Sequence, residues 1–567
     1  MTALHDGWTL RPLEGPVPPG LRDGAVPATV PGCVHTDLLA AGLIPDPYLD
    51  ENEGLLEWVG RTSWRFTTTF RAAAAAAGER VDLEFGGLDT VATVTLNGES
   101  ATFDVRSEVG VDRTCSPTVR PALDEPPGRR LTDGHRGYRP TQRARHHGSR
   151  ARHRRPEETA MTWLKDPAHR RWLEAETDRL LEFSRASLHP DGGFGWLDTS
   201  GRLLPGQPVE LWLTCRMTHV FALGQLIGRP GCAPLVDHGV RALQGRLRDQ
   251  ADGGWFSAVD ADGVTDPGKE TYGHAFVVLA ASSAATAGHP EGRGLLDDAL
   301  AVMDEHLWSE VDGMVVDRSD EAFTTVDPYR GVNANMHTVE AFLAASDVTG
   351  DPRWRARALR ITQRVLDFAR ESSWRIPEHY DSGWQPQPDY NADKPGDRFR
   401  PYGATVGHAM EWGRLALNLR AALGEDAPAG LLSDARSLFD QGVADGWSVD
   451  GSPGFVYTTD WDGAPVVRHR MHWVAAEATA TAAVLHAVTG EESYATWYQT
   501  FWDHIDFAFR DREGGSWWHE LDDANRPSAT VWSGKPDTYH ALQATLVPRL
   551  PVAPSFATAL ARGLLDR

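Results

Sequence analysis

The chain of 567 residues has few cysteines, few lysines and no long apolar run. Its four cysteines form no CxxC pair and no disulfide framework, which favours a reducing compartment. No apolar run reaches the roughly eighteen residues that a membrane-spanning helix needs, so we expect no membrane partner. The first residues, MTALHDGWTLRPLEG, lack the basic and apolar regions of a signal peptide. The sequence therefore predicts a cytoplasmic protein.

Positive charge is scarce as well, since the net charge is −23 and only four lysines accompany 52 arginines. Phosphate binding needs a basic surface, so we expect no nucleic-acid partner. No P-loop occurs, and no GxGxxG follows a predicted strand, which argues against a nucleotide cofactor. No HExxH motif or ExxH pair lies within one helix, so we expect no metal. The sequence predicts a protein without cofactors.

One segment departs from this acidic character. Residues 128–155, GRRLTDGHRGYRPTQRARHHGSRARHRR, hold ten arginines and one acid. Such a run cannot bury enough apolar surface to offset the entropy of ordering, which predicts disorder. A nucleic-acid or membrane patch is one interpretation, but a linker or an out-of-frame segment fits the composition better. We assign residues 111–160 to this Arg-rich disordered segment.

Residues 1–110 carry a strand pattern. VDLEFGGLDTVATVTLNGES alternates apolar and polar residues and turns at Asn97-Gly98, which is typical of a β-hairpin. The stretch VPGCVHTDLLAAGLIPDPYLDENEGLLEWVGRTSWRFTTTF resembles the N-terminal sugar-binding β-sandwich of family-two β-mannosidases. The catalytic barrel of those enzymes does not follow. The resemblance therefore implies a partial, catalytically empty β-sandwich fragment.

The long C-terminal part, residues 161–567, begins with a helical pattern at Met161 and contains a repeat. A glycine-aromatic signal recurs six times, at steps of 61, 59, 70, 71 and 61 residues. Each copy contains one helical stretch that is apolar nearly all round and one that is amphipathic. Six pairs of inner and outer helices, without a polar capping repeat, predict a closed (α/α)6 barrel.

Polar residues recur near the start of the inner helices of this predicted barrel. Equal phase in a closed six-fold ring places them at one end, pointing inward. One buried histidine has a simple structural explanation, but four in one ring, with an arginine and a tryptophan, indicate a site. The predicted ring consists of Arg216, His274, His337, His408, Trp473 and His540.

The motifs at these positions resemble the N-acylglucosamine 2-epimerase superfamily, and most of all its mannose and sulfoquinovose isomerases. They are RMTHVFA (216–222), YGHAF (272–276), NANMHTVEAF (333–342), GHAMEW (407–412), RMHWVAAEA (470–478) and KPDTYH (535–540). The resemblance runs from about Met161 to the C-terminus, and the motifs are specific as an ordered set. It implies a mainly α (α/α)6 barrel and metal-independent aldose–ketose isomerisation or 2-epimerisation.

The resemblance also implies the roles of individual residues. His408 and His540 match the two proton-transferring histidines, and Glu411 matches the carboxylate that supports His408. His337 is implied as a further catalytic residue that holds the sugar near its ring oxygen. The residues implied to bind substrate are Arg216, Tyr272, Asn333, Trp473 and Glu477.

The chemistry of isomerisation explains why histidines are needed. Aldoses rest as closed rings, so a proton must move to the ring oxygen before C2 is deprotonated to an enediol and C1 is protonated. Histidine, with an ordinary pKa of about 6.5, takes and gives protons near neutrality. The sequence therefore predicts conversion of a free monosaccharide, most simply D-mannose to D-fructose, by a monomer or homo-oligomer.

Several alternatives remain open on the sequence alone. A 2-epimerase of mannose, cellobiose or N-acylglucosamine is the nearest, although epimerases tend to show a WW pair where this chain has Met471-His472-Trp473. A sulfoquinovose isomerase is another. A metalloenzyme using His408, Glu411, His337 and His540 is a third. A glycosidase needs two facing carboxylates, and a non-catalytic sugar-binding protein leaves the paired histidines unexplained.

Overall fold

The structure is a computed structural model, and it divides the chain into two compact units, Met1–His153 and Arg154–Arg567. The predicted Arg-rich segment, 111–160, lies outside the described residues. The residues that the structure describes are 7–14, 16–18, 21, 24–30, 33–45, 52–60, 62–69, 93–96, 99–102 and 163–566.

In the described residues of the N-terminal unit, two small antiparallel sheets accompany two helices. A three-stranded sheet has the order β2-β1-β3, and a separate hairpin joins β4 to β5. The buried side chains of Val26, Leu38 and Val59 belong to its apolar core. Its elements are β1 (Trp8–Glu14), β2 (Val26–Ala28), α1 (Val34–Ala40), α2 (Asn52–Gly60), β3 (Ser63–Thr67), β4 (Thr93–Leu96) and β5 (Glu99–Thr102).

The hairpin predicted from the alternating stretch is present. Thr93 pairs with Thr102, and Leu96 pairs with Glu99, so the two strands are in register on either side of the predicted turn. The turn residues themselves, 97 and 98, lie outside the described residues. Period-two alternation with a two-residue turn signal was therefore enough to locate these strands.

The C-terminal unit is the predicted (α/α)6 barrel, in which outer and inner helices alternate along the chain. Neighbouring inner helices pack side by side around the ring, and the last packs against the first. The inner helices are α4 (Leu211–Leu226), α6 (Thr271–Thr286), α8 (Val332–Thr349), α10 (Val406–Leu423), α12 (His472–Thr489) and α14 (Tyr539–Leu546). The outer helices are α3 (Pro167–Ser184), α5 (Ala233–Gln244), α7 (Gly292–Val302), α9 (Pro352–Glu371), α11 (Leu431–Gly446) and α13 (Glu492–His504).

Hydrophobic periodicity separates the two rings. Inner helix α6, TYGHAFVVLAASSAAT, is buried over most of its length because it contains few polar or charged side chains that require solvation. Outer helix α9 buries only one stripe, including Trp354, Ala358, Ile361 and Val365, at the three- and four-residue spacing of a single helix face. Its remaining surface carries arginines, as expected for a helix that faces solvent.

The barrel closes by pairing the two ends of this unit. The sixth repeat supplies only inner helix α14, and its outer partner is α3, the first helix of the unit. A short final helix, α15 (Phe556–Ala561), packs on α4, α6 and α8. Asn418, in the second half of α10, donates a hydrogen bond to the carbonyl of Ala553 just before α15. The end of the barrel opposite the inner-helix N-termini is therefore covered.

Short antiparallel strands connect the helices at the other end. Gly254, in the second glycine-aromatic signal, has φ +66°, and a Cβ there would lie 2.9 Å from Nε2 of His274, so glycine is required.

None of the helices in the described ranges is long and apolar enough to cross a membrane. The strands are β6 (Val209–Glu210), β7 (Ala258–Asp260), β8 (Gly263–Asp266), β9 (Lys269–Glu270), β10 (Trp308–Ser309), β11 (Met314–Val315), β12 (Arg318–Ser319), β13 (Arg330–Gly331), β14 (His379–Tyr380), β15 (Ala404–Thr405), β16 (Thr458–Thr459), β17 (Pro465–Val467), β18 (Arg470–Met471) and β19 (Glu520–Leu521).

Candidate active site

A pocket opens at the N-terminal ends of the inner helices. Its volume is about 430 Å³ including space open to solvent, within the range of small-molecule sites. Its walls combine aromatic rings with titratable groups that converge from five of the six inner helices. The lining residues are Arg216, Tyr272, Asn333, His337, Arg398, Phe399, Pro401, His408, Glu411, Tyr457, Trp473, Trp532 and His540.

Most of the predicted site residues meet in this pocket. Of the nine, only Glu477 is not part of the lining, and it lies directly behind His540. The predicted ring is wrong at one position, because His274 faces the hairpins instead. Successive helical residues are about 100° apart, so His274 points away from Tyr272, two residues earlier, which faces the pocket. Its Nε2 accepts a hydrogen bond from the backbone N–H of Trp255.

His408 is held by a carboxylate that the sequence did not indicate. Its Nδ1 lies 2.9 Å from Oε1 of Glu378, and both residues are buried. The expectation that Glu411 supports His408 is therefore wrong. His408 and Glu411 share a helical face, but Glu378 reaches Nδ1 of His408 from the loop immediately before β14. A carboxylate on Nδ1 fixes the ring orientation and directs Nε2 away from it.

His540 has the same arrangement, built from different elements. Its Nδ1 lies 2.9 Å from Oε1 of Glu477 on α12, and Oε2 of Glu477 accepts a hydrogen bond of 2.7 Å from Nε of Arg414. Burial opposes ionisation, but Arg414 and His540 lower the pKa of Glu477 to about 2. Burial lowers the pKa of His540, although Glu477 opposes this shift. Glu477 is therefore an ionised hydrogen-bond acceptor behind a neutral imidazole.

Trp473 lies beside both of these histidines. Its ring centroid is 5.2 Å from that of His408 and 5.8 Å from that of His540. An indole presents a flat apolar face, which suits the C–H face of a sugar ring. A sugar packed on Trp473 would thus meet two imidazoles supported by carboxylates.

His337 is a third pocket histidine with a weaker carboxylate contact. Its Nδ1 lies 3.6 Å from Glu340 and 3.8 Å from Glu411, beyond hydrogen-bond distance. Its ring packs between Tyr272 and Phe276, with centroids 5.2 and 4.6 Å away. Burial lowers the pKa of His337 to about 4, although Glu340 opposes the shift. His337 is therefore neutral near pH 7.

Arg216 supplies a buried positive charge to the pocket. Its guanidinium donates to the hydroxyl of Tyr272 at 2.8 Å and to Oδ2 of Asp537 at 3.3 Å. It also lies over the rings of Phe276 and Tyr539, at 4.6 and 4.7 Å, where cation–π attraction stabilises it. Its Nε has no hydrogen-bond partner among the described residues. Arg216 is thus fixed in place with a donor to spare.

A loop and two aromatic residues complete the mouth of the pocket. The guanidinium of Arg398 lies 5.0 Å from the rings of both Trp196 and Trp532. Phe399 packs edge-on against Trp532 at 5.5 Å between ring centroids. The carboxylate of Glu520 accepts the backbone N–H groups of residues 530–532 at 2.7–2.8 Å and so orders the segment carrying Trp532.

Several residues of the site carried no recognisable signal in the sequence. Glu378, Arg398 and Trp532 come from loops whose sequence has no helical phase. Glu340 and Asp537 lie inside the family motifs NANMHTVEAF and KPDTYH. A helical projection that places Glu340 one turn after His337 would have identified it.

Two sets of side chains bring potential metal ligands together. The ligand atoms within each set lie within 4.8 Å of one another, and Glu411 belongs to both. The guanidinium of Arg414 already lies among them, 2.7 Å from Glu477 and 3.5 Å from Glu411. His408 belongs to neither set. The sets are His337, Glu340 and Glu411, and Glu411, Glu477 and His540.

Comparison with known proteins identifies relatives of the barrel. The family model described as N-acylglucosamine 2-epimerase (GlcNAc 2-epimerase) matches residues 192–544, which include every pocket residue. The D-mannose isomerase of Thermobifida fusca is 54% identical over 402 residues, covering 70% of this chain and 98% of that protein. A crystal structure of a D-mannose isomerase, 29% identical, covers 67% of this chain and 98% of its own, with a TM-score of 0.63.

The N-terminal unit has different relatives. A family model described as a glycosyl hydrolase 2 galactose-binding domain-like module matches residues 8–104. Beta-mannosidase B of Thermothelomyces thermophilus is 41% identical over 95 residues, which are 17% of this chain and 11% of that protein. The resemblance expected for this stretch is confirmed. About a tenth of the mannosidase is matched, so nothing of its activity is transferred.

Proposed function

The chain belongs to the N-acylglucosamine 2-epimerase family, and on that premise we propose that it is an aldose–ketose isomerase converting D-mannose to D-fructose. One observation carries the proposal: His408 and His540, each supported by a carboxylate on Nδ1, face the same pocket on either side of Trp473. Two such groups suffice to move a proton between neighbouring carbons of one sugar. The similarity to D-mannose isomerases supports mannose as the substrate.

Ring opening comes first in the proposed mechanism. His337, neutral and packed against Tyr272, gives and takes a proton at the ring oxygen or the anomeric hydroxyl. Asn333, whose Oδ1 has no partner among the described residues, accepts a hydrogen bond from a sugar hydroxyl. The unused donor of Arg216 binds a sugar oxygen. These contacts hold the open chain against Trp473.

Proton transfer follows through a cis-enediol. One of His408 and His540 removes the proton on C2, and the electron pair forms the C1–C2 double bond. A proton then returns to C1 from histidine. Glu378 and Glu477 keep each imidazole in the tautomer that presents Nε2 to the sugar. No step in this sequence uses a metal, and Arg216 stabilises charge on the sugar oxygens.

The product of the reaction tests the proposal. The full chain, incubated with D-mannose in heavy water, should form D-fructose that carries solvent deuterium, because a histidine exchanges its proton between removal and return. Formation of glucose instead of ketose would assign the chain as a 2-epimerase. Ketose without deuterium would indicate a hydride shift. Loss of activity on exhaustive chelation, restored by one metal, would refute metal independence.

We also propose a cytoplasmic location. Among the described cysteines, the buried Cys215 and Cys232 are free thiols, as a reducing compartment maintains them. Cell fractionation checks the location. Size-exclusion chromatography with light scattering distinguishes a monomer from a homo-oligomer.

A further inference from the structure

Glu411 is a buried carboxyl group whose hydrogen bond from Arg414 is long, at 3.5 Å. It lies on α10 with 1% of its surface exposed, yet it belongs to the pocket lining. The histidine three residues earlier on the same helix, His408, is bound by Glu378 instead. A buried carboxyl group without a strong partner is costly when ionised, so its state and role need an explanation.

Three buried carboxyl groups from neighbouring inner helices form one cluster. The guanidinium of Arg414 lies 2.7 Å from Glu477 and 3.5 Å from Glu411, and Glu340 lies within 4.8 Å of Glu411. Glu477 accepts hydrogen bonds from Arg414 and His540 at 2.7 and 2.9 Å. Glu340 accepts a hydrogen bond from the hydroxyl of Tyr539 and another, at 3.2 Å, from Gln543. Both of these groups are therefore well satisfied as anions.

Glu411 is the poorly satisfied member of the three. Its Oε1 lies 3.5 Å from Nη2 of Arg414 and 3.8 Å from Nδ1 of His337. Arg414 is already engaged by Glu477, and His337 is neutral. Three anions in a cluster with one guanidinium would leave a buried net negative charge, and a proton on the least satisfied carboxyl group removes it at the lowest cost.

We propose that Glu411 is a neutral carboxylic acid whose O–H donates a hydrogen bond to the sugar oxygen that gains negative charge during isomerisation. This makes Glu411 a catalytic residue that acts as a donor. The inference rests on the proposed isomerase function and adds to it the identity of the group that stabilises the enediolate.

The proposed step balances without any further reactant. The C2–H bond breaks, its proton goes to a histidine, its electron pair forms the C1–C2 double bond, and the carbonyl pair moves onto O1. The O–H of Glu411 hydrogen-bonds to this O1 anion. As the C2 carbonyl forms, the proton on O2 passes to O1 within the cis-enediol, and the histidine returns a proton to C1. Glu411 ends with the proton it began with.

The electrostatic surroundings support this assignment. Burial, followed by the charge of Glu477, raises the pKa of Glu411 well above its usual value, and Glu340 adds to the rise. Arg414 and Arg216 oppose it without reversing it. A neutral acid maintained by burial and a second carboxylate is an established way to obtain a proton donor near pH 7.

Two substitutions at Glu411 test the role by separating donation from charge. Glu411→Gln keeps an N–H donor of similar shape, so kcat for mannose should fall by about tenfold or less. Glu411→Leu keeps the volume and removes the donor, which should lower kcat by about 100- to 1,000-fold, as for loss of an oxyanion-hole donor. KM should change less than kcat, since the contact forms in the transition state.

Glu477→Gln is the matched control, because it removes a carboxyl group that must be ionised. Its kcat should fall by about 10- to 100-fold, and all three variants should retain the thermal unfolding transition of the parent. Equal losses in Glu411→Gln and Glu411→Leu would show that an ionised carboxylate is required and would overturn the inference. Near-parental activity in both would equally overturn it.

An infrared measurement decides the protonation state without reference to activity. The difference spectrum between the parent chain and Glu411→Gln at neutral pH should contain the carbonyl band of a protonated carboxyl group. Only a carboxylate band there would refute the neutral acid. If the parent forms no ketose from mannose, the proposed function fails, while this spectrum still reports whether Glu411 is protonated.

Discussion

Buried histidines of the pocket and of the hairpin region have different partners. In the pocket, Nδ1 of His408 and of His540 contacts a carboxylate at 2.9 Å. Behind the hairpins, Nδ1 of His274 contacts the backbone carbonyl of Glu270 at 2.7 Å, and Nε2 accepts the N–H of Trp255. All three are buried at similar positions in the repeat. Burial and phase therefore do not separate His408 and His540 from His274, whereas the group that contacts Nδ1 does.

The two hydrogen bonds that His274 makes to its helix and to the hairpin do not require an imidazole. In the next repeat, Asn335 donates to the carbonyl of Gly331, four residues earlier, at 2.9 Å. Its Oδ1 accepts the N–H of Val315 in the hairpin at 2.9 Å. An amide thus makes the same pair of contacts as His274. His274 is a structural residue that joins its helix to the hairpin by two hydrogen bonds. Asparagine is the substitution that best preserves them.

The largest expected effect tests this difference directly. His408→Asn and His540→Asn remove the proposed acid–base groups and should each lower kcat by about 100- to 10,000-fold. His274→Asn, the matched control, should lower kcat by less than about tenfold, because Asn preserves both hydrogen bonds. Steady-state kinetics with mannose, beside circular dichroism to verify folding, measures all three. Near-normal turnover in His540→Asn would contradict the assignment.

The carboxylates of the pocket region give the next effect. Glu378→Gln should lower kcat by about 10- to 100-fold, as for carboxylates that orient metal-bound histidines. Glu477→Gln should do the same, and Glu411→Gln should have the smallest effect of the three. The order of the three kcat values is the measurement. An effect of Glu411→Gln that exceeds that of Glu378→Gln would restore Glu411 as the support of His408.

The lowered pKa of His274 predicts that the stability of the protein depends on pH. Burial lowers the pKa of His274 to about 4, against about 6.5 in an unfolded chain. The unfolded state binds this proton more tightly than the folded state. The contribution of neutral His274 to the free energy of unfolding is therefore fully present above pH 6.5 and is lost as the pH falls towards 4. Between pH 7 and 5.5 the loss is about 1 kcal/mol.

Urea unfolding of the parent and of His274→Asn at these two pH values measures this loss. The variant should lose about 1 kcal/mol less than the parent on acidification, because Asn does not titrate. Parallel losses in the two proteins would show that the pKa of His274 is not lowered in the folded state.

The smallest effect is expected for the N-terminal unit. A shortened chain that begins at Met161 retains every helix of the barrel and every residue of the pocket. Its activity on mannose should remain within about tenfold of the parent, which corresponds to about 1.4 kcal/mol in the transition state. A larger loss would show that residues 1–160 contribute to the site or to the barrel's stability.

Much of the barrel was predictable because its signals are local. Six glycine-aromatic copies at a near-constant period gave the number of repeats, and apolar inner helices alternating with amphipathic ones gave the two rings. The family was likewise predictable from six ordered motifs, and the family match confirms it. The hairpin β4–β5 followed from alternation alone.

The pairing of side chains was not predictable, because it depends on which elements meet. His408 and Glu411 share a helical face in the sequence, yet a loop residue 30 positions earlier, Glu378, binds His408. His274 shares the phase of the ring but is turned towards the hairpin. Helical periodicity alone does not give the partner of each side chain. A shift of one or two residues along a helix, or a different path of a loop, changes which side chains meet.

The sequence by itself determined the repeat, the ring of inner helices and the residue types at their N-terminal ends, because helical period and turn chemistry act over a few residues. Tertiary structure alone decided which carboxylate supports which histidine. It also brought Glu411 and Glu477 to a single arginine and Glu340 within 4.8 Å of Glu411, although 137 positions separate Glu340 from Glu477 in the chain. The protonation state of each carboxyl group depends on distances of a few ångströms to its neighbours in space. Only the closed barrel fixes those distances between residues so far apart in the chain.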